Sequence, residues 1–319
     1  MNSLRLMSME PSYAYPGMTF LNQIYRQINF LQSSKGKVEV LDTTMRDGLQ
    51  SSHSMPTAIK IKAIGQLVEA GVSSLEIGSL VNPKQVPNMK NTPEVIKGLK
   101  HIEGIKKWVL TPNSKGLEIA LNLGVRHISM PTSVSETFNR KNIHSSVEES
   151  LQQMSLMVQQ RKETGGMRFR VYLSCCPICP EEGEMPIAKI ADLAYRLFEM
   201  NVDEIIPSDT VGKASPKQIR DMLTAIKERG VPIERIGLHV HGKGERVFKN
   251  IEEALESGVR LFDSSLGYLG GCPIVKQAQG NIPTEELVPF LHGLGYETGI
   301  DADRLLAIRQ FVLDHLTFV

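Results

Sequence analysis

The run Val38-Glu39-Val40-Leu41-Asp42-Thr43-Thr44-Met45-Arg46-Asp47-Gly48 decides the fold. Its first half is a short apolar, β-branched stretch, the pattern of a strand buried on both faces. Its second half stands where an open, doubly wound sheet would carry a glycine-rich phosphate turn, and no G-x-G-x-x-G occurs there. The strand pattern then recurs at Ser74–Ser79, Lys107–Asn113, His127–Ser133, Arg168–Cys175, Asp203–Asp209, Ile236–Gly242 and Leu261–Gly267. Helix-period segments lie between them, among them Thr57–Ala70, Val147–Lys162, Ile187–Met200, Pro216–Arg229 and Glu245–Ser257. Eight strands alternating with helices predict an α/β fold, a closed (β/α)8 TIM barrel rather than an open sheet. The tail from Thr284 reads as the last barrel helix and one further helix. No Pro/Gly/Ser-rich linker divides the chain, so one barrel domain is expected over residues 38–319.

Residues 1–37 carry one acidic residue, Glu10, against four basic ones. Phe20, Ile24, Ile28 and Leu31 fall at helical spacing after Pro16, which predicts a helical N-terminal arm packed on the barrel or on a second subunit. The stretch has no signal-peptide core. It is acid-poor like a transit peptide but not Arg-rich, so the expected compartment is the cytoplasm, with a mitochondrial address open if the arm is a transit peptide. The chain of 319 residues has 41% hydrophobic residues, 22% charged residues and a net charge of +1. That balance argues against a nucleic-acid surface, and no apolar run reaches the roughly 20 residues that span a bilayer. Of four cysteines, three cluster as Cys175, Cys176 and Cys179. They form no disulfide framework, and a lone C-x-x-C without a second pair reads better as packed small residues than as a zinc site.

In such barrels the chemistry sits at the C-terminal ends of the strands. Leu238-His239-Val240-His241 puts two imidazoles on one face of strand 7, because residues i and i+2 of a strand point the same way. That is a start on a metal site, although one buried, hydrogen-bonded histidine beside a solvated one is the plainer reading. Strand 1 is followed by Arg46, Asp47 and Gln50. Glu76 is an acid inside an apolar strand 2, and strand 6 ends at Asp209. Strand 8 runs into Gly267-Tyr268-Leu269-Gly270-Gly271-Cys272-Pro273, with Asn281 beyond it. A carboxylate, two imidazoles and an amide oxygen could converge on one divalent cation and leave positions open for substrate.

The run from Asp42 to Gln50 resembles the signature of the DRE-TIM metallolyases, a superfamily of hydroxymethylglutaryl-CoA lyases, isopropylmalate and homocitrate synthases, and carboxyltransferase domains. Leu49, where the synthases usually have Glu, and the Gly267–Pro273 cysteine loop are closer to the lyases. Asn82–Pro87, Leu110–Asn113, Arg140–Ile143 and Gly280–Glu285 are lyase-like too, so the resemblance covers roughly residues 38–305. It implies metal ligation by Asp47, His239, His241 and Asn281, with Mg2+ or Mn2+ as the ion. It implies further that Arg46 neutralises a developing enolate oxygen and Cys272 moves a proton on a flexible loop. Glu76, Asp209 and His239 would be catalytic, Gln50 would contact substrate, and Glu285 is either a site acid or a helix N-terminal acid favoured by the dipole. The implied reaction is the retro-Claisen cleavage of a 3-hydroxy-3-methylglutaryl-CoA-like acyl-CoA to acetyl-CoA and a 3-oxo acid, in a homodimer.

The chain departs from the lyases after His241. They usually continue Asp-Thr-Tyr-Gly, whereas this chain reads Gly242-Lys243-Gly244-Glu245-Arg246. Lys243 or Arg246 could meet a CoA phosphate or a carboxylate, or be solvated. Pro207-Ser208 replaces a Leu-Gly before Asp209, and Ile274-Val275-Lys276 follows the cysteine loop. These changes leave open a lyase for a different 3-hydroxyacyl-CoA, a condensing synthase using acetyl-CoA and a 2-oxo acid, and a non-catalytic barrel that serves as a binding or regulatory partner.

Overall fold

A computed structural model describes residues 34–51, 53–161, 165–272, 274–275 and 278–318. The helix expected after Pro16 lies outside the described residues, as do Pro273 and Lys276. Eight parallel strands form the barrel: β1 (Glu39–Asp42), β2 (Ser74–Ser79), β3 (Lys106–Leu110), β4 (His127–Ser133), β5 (Arg168–Ser174), β6 (Glu204–Asp209), β7 (His239–Val240) and β8 (Leu261–Ser264). Each strand neighbours its predecessor, and β8 pairs with β1. The ring closes between β8 and the segment leading into β7, where Leu238 N–H donates to Leu261 O at 2.9 Å and Asp263 N–H donates to Leu238 O at 3.1 Å. The strands are buried because helices cover their outer faces and side chains fill the interior, which is why they read as apolar runs.

The helices are α1 (Thr57–Glu69), α2 (Thr92–Gly98), α3 (Ser114–Asn122), α4 (Glu136–Ile143), α5 (Val147–Gln159), α6 (Ile187–Glu199), α7 (Pro216–Glu228), α8 (Glu245–Glu256), α9 (Thr284–Gly293) and α10 (Ala302–Asp314). Their starts are written locally. Ser146 with Glu149, and Ser215 with Gln218, form capping boxes that satisfy the first amides of α5 and α7. The tail is two helices, as its pattern predicts, and no described helix is long and apolar enough to cross a membrane.

The barrel interior is not wholly apolar. Arg170 is fully buried, with Nη2 3.0 Å from Asp263 Oδ1 and Nε 3.1 Å from Glu204 Oε2. Burial works against its charge, but Asp263, Tyr172 and Glu204 outweigh burial and hold the guanidinium protonated. A charge so deep needs such partners.

Five strand ends differ from the sequence expectation: strands 3 and 5 stop at Leu110 and Ser174 rather than Asn113 and Cys175, and strands 1, 7 and 8 also stop early. Strand 1 stops at Asp42 rather than Thr44, and Thr44–Gly48 form a π-helical turn. The Thr44 hydroxyl is drawn out of the strand to accept the Leu266 N–H at 2.8 Å, and Asp42 accepts the Thr284 hydroxyl at 2.6 Å. Strand 7 keeps regular pairing only at His239–Val240, with single bridges from Ile236 and Leu238 on either side. Strand 8 ends at Ser264, where a tight turn over Leu266–Tyr268 puts Gly267 and Tyr268 at φ +64° and +62° and starts the cysteine loop.

Candidate active site

The π-helical turn after β1 presents Asp47, the end of β7 presents His239 and His241, and the strand-like segment after the cysteine loop presents Asn281, bridged to His241. One ligand atom from each of Asp47, His239 and His241 lies within 4.8 Å of the others, and all three residues are buried. Among the described residues this is the one grouping of His, Cys, Asp and Glu placed to hold a metal ion. The cysteine cluster is packed in the core, and burial pushes the Cys175 and Cys176 thiols far up.

The hydrogen bonds fix the histidine tautomers. His239 Nδ1 lies 3.1 Å from Asp263 Oδ2, and His241 Nδ1 lies 2.8 Å from the Gln279 carbonyl. A carbonyl only accepts, and Asp263 accepts as well because Arg170 and His239 outweigh burial and hold its carboxyl below the usual range. Both Nδ1 atoms therefore carry the proton. The two Nε2 atoms lie 3.0 Å apart and face each other across the site, and with both rings neutral each offers a lone pair. Asn281 Oδ1 is buried without a hydrogen-bond partner, while its Nδ2 donates to Asp47 Oδ2 at 2.6 Å. Two such nitrogens, an orphaned amide oxygen and a carboxylate make a donor set that fits a divalent cation. Burial and the neighbouring His239 push the His241 imidazolium down to about 4, so it is neutral at physiological pH. Burial opposes ionisation of Asp47, but Arg46 and the two histidines hold its carboxyl well below the usual range.

Arg46 is gripped from both sides. Its Nη1 donates to Asp47 Oδ1 at 2.6 Å and its Nε to Glu76 Oε2 at 2.5 Å, and the Tyr172 ring lies 5.1 Å from the guanidinium. Burial is overcome by these two carboxylates, and the charge is secure. Glu76 also accepts the hydroxyls of Thr43 at 2.8 Å, Tyr172 at 3.1 Å and Ser129. Oε2 is taken up by Arg46, Thr43 and Tyr172, while Oε1 accepts only Ser129. Gln50 Nε2 donates to Asp47 Oδ1 at 2.6 Å.

Asp209 stands apart. Its carboxylate accepts the amides of Gly212, Lys213 and Ala214 at 3.0–3.2 Å and shapes the turn after β6, and burial raises it to about 6. It is not on the cavity wall, whereas Ser208 and Thr210 beside it are. Glu285, in the first turn of α9, accepts the Gly267 N–H at 3.0 Å and so braces the root of the cysteine loop.

A cavity of about 710 Å³ opens over these groups, lined by Arg46, Asp47, Gln50, Tyr172, both histidines and Cys272. It runs outward past Asn82 and Gln85, Leu110 and Asn113, and Asn142 and Ile143, so three further lyase-like stretches meet on one cavity. Burial pushes the Cys272 thiol up to about 11, so it is protonated at neutral pH. Gly270 brings its loop directly onto Asp47 and Asn281. A Cβ there would lie 2.2 Å from Asn281 Nδ2 and 2.7 Å from Asp47 Oδ2, at φ +102°. Sequence reasoning missed Tyr172, Asp263 and Arg170. The signal that singled out Glu76, an acid inside an apolar strand, was present at Asp263 as well.

The fold is a TIM barrel with a candidate metal centre at its strand ends, and the relatives it matches place the chain among carbon–carbon lyases. The HMGL-like family model matches residues 37–312, and the chain belongs to that family. The mitochondrial hydroxymethylglutaryl-CoA lyase of Mus musculus is 41% identical over 88% of this chain and 86% of its own. The cytoplasmic 3-hydroxy-3-methylglutaryl-CoA lyase of Danio rerio is 37% identical over 86% of this chain and 82% of its own. Among solved structures, the HMG-CoA lyase of Brucella melitensis superposes with a TM-score of 0.83 at 35% identity, over 88% of this chain and 98% of that one. An HMG-CoA lyase from Acinetobacter baumannii in complex with coenzyme A and 3-methylmalate superposes with a TM-score of 0.82 at 31% identity, over 87% and 90%.

Proposed function

We propose that the protein catalyses the metal-dependent retro-Claisen cleavage of 3-hydroxy-3-methylglutaryl-CoA to acetyl-CoA and acetoacetate. The observation that carries the reading is the pair of bare His239 and His241 Nε2 atoms 3.0 Å apart, next to Asp47 and the orphaned Asn281 oxygen, at the floor of a cavity that also holds Arg46 and Cys272. Mg2+ or Mn2+ held by Asp47, His239, His241 and Asn281 would act as a Lewis acid toward the substrate's tertiary hydroxyl and distal carboxylate. His239 has one bare nitrogen, which we assign to the cation rather than to proton transfer.

Arg46 supplies the second positive charge. Glu76 and Asp47 fix its guanidinium, so it meets the thioester carbonyl without reorganising, and the enolate oxygen that develops as the C2–C3 bond breaks is neutralised there. As the C2–C3 bond breaks, the tertiary hydroxyl's proton passes to water in the cavity; Cys272, protonated at neutral pH, donates its proton to the enolate carbon and gives the acetyl-CoA methyl group, and the thiolate left behind is reprotonated from solvent. Gln50 orients Asp47 from the cavity wall. The relatives named as lyases for this substrate support the choice of acyl group. The homodimer implied by the resemblance belongs to the same proposal, and light scattering tests it.

A substrate panel tests the reaction. Purified protein with Mn2+ is offered 3-hydroxy-3-methylglutaryl-CoA, an analogue with a longer 3-alkyl branch, and acetyl-CoA with a 2-oxo acid. Cleavage of the first compound is expected. Preference for the longer branch moves the substrate to another 3-hydroxyacyl-CoA, and condensation of the third pair makes the enzyme a synthase.

A further inference from the structure

Position 242, where the chain leaves the pattern it resembles, is not simply vacant. Gly242 adopts φ +117°, and a Cβ built there would lie 2.9 Å from Val247 Cγ2 and 3.1 Å from Gln279 Oε1. The space beside His241 is thus shared by Val247 of α8 and the Gln279 side chain. The Gln279 carbonyl accepts the His241 Nδ1 proton at 2.8 Å, and the Gln279 side-chain Nε2 donates to Gly212 O at 2.9 Å. Arg246, in the first turn of α8, donates to that same Gly212 carbonyl and to Ala214 O at 3.0 Å. The turn they grip is itself rigid, because Asp209 gathers its three amides. On the other side, Gly242 N–H donates to Gly280 O at 2.7 Å and ties the end of β7 to the residue after Gln279.

We propose that Gln279 and Arg246 are positioning residues for His241. They anchor the Gln279 carbonyl, and that carbonyl holds the imidazole in the Nδ1–H tautomer with Nε2 turned into the site. The inference rests on the reading of this site as a cation site and adds what keeps one ligand ready. A ring nitrogen can bind a cation only when it carries no proton, and the tautomer is set by the partner of the other nitrogen. A main-chain carbonyl in a loop holds that proton only while its own position is fixed. Here the Gln279 amide and the Arg246 guanidinium converge on one carbonyl, Gly212 O, and supply from outside what a side chain at 242 does not.

Two readouts test this on the full chain: long-range 1H–15N imidazole spectra of the metal-free protein at neutral pH, and Mn2+ affinity by calorimetry. The proteins are wild type, Gln279→Ala, Arg246→Met and the double variant, with His241→Asn assigning the resonance. The wild type is expected to show a single Nδ1–H tautomer at His241. Gln279→Ala is expected to give a tautomer mixture and an Mn2+ affinity weaker by about 10-fold, and Arg246→Met to move both in the same direction. The double variant is expected to fall short of the product of the two losses, because both side chains act through Gly212 O. An unchanged tautomer in Gln279→Ala overturns the proposal, whether or not affinity falls, because any loss would then come from general loosening. A tautomer shift without Mn2+ binding in any protein sustains the positioning role and sinks the cation reading.

Discussion

Arg46 holds a charge that two carboxylates already share, and this shapes the role proposed for it. A guanidinium fixed by Glu76 and Asp47 cannot swing to find substrate, so its contribution falls on charge that develops in place. Arg46→Gln is therefore expected to lower kcat by about 10²–10³-fold with a smaller change in KM, measured by steady-state kinetics with saturating Mn2+. Cys272 makes a pH prediction. Burial pushes its thiol up to about 11, above the ordinary value of about 8.5, and the donating form is the protonated one. Its contribution should persist through neutral pH and fade only as pH rises toward 11. An alkaline limb near 8.5 that disappears in Cys272→Ser would contradict this. Of the proposed ligands, the histidines were legible as a local pattern, an imidazole pair at i and i+2, whereas Asp47 and Asn281 were assigned through the family resemblance. Tyr172, Asp263 and Arg170 were not legible, because their roles exist only where different strands meet inside the barrel. Arg246, which the sequence left between a substrate contact and a solvated side chain, turned out to grip the main chain.

At the scale of elements, the site depends on two departures from regular structure. The π-helical turn over Thr44–Gly48 aims Asp47 inward, and the two glycines before Cys272 let its loop lie against the ligands. Gly270→Ala should push the loop off Asn281 and Asp47. Calorimetry is expected to find Mn2+ affinity reduced by at least about 10-fold while far-ultraviolet circular dichroism stays native, and undiminished affinity would count against the loop packing described above. The strands were readable to within a few residues from apolar runs, and β2 and β4 ended where their patterns ended. The ends of strands 1, 7 and 8 were misjudged for one reason. At each of them the backbone leaves the ladder to meet another loop, Thr44 with Leu266 and His241 with Asn281, and no local pattern announces such a meeting.

Across the whole molecule, a ladder of charge runs beneath the site. His239 rests on Asp263, Asp263 on Arg170 and Arg170 on Glu204. Lys106 lies 3.9 Å from Glu204 and pairs with the half-exposed Glu39 at 2.6 Å. Removing Arg170 would strand two buried carboxylates, so Arg170→Met is expected to cost about 3–5 kcal/mol in urea unfolding. A change under about 1 kcal/mol would mean that the interior tolerates those charges unpaired. Barrel closure followed from eight repeats and the missing phosphate turn, but the charged interior beneath the metal ligands did not. It arises from residues 24 to 98 positions apart in the chain, on strands that meet only in the folded barrel.

The account turns on a cation held between Asp47, His239, His241 and Asn281. The most direct test is release of acetyl-CoA from 3-hydroxy-3-methylglutaryl-CoA by the purified protein with Mn2+, then with EDTA, then with Mn2+ restored. Activity that disappears with EDTA and returns with the metal is the predicted result. Cleavage at an undiminished rate in EDTA, with the metal shown to be removed, would contradict the account.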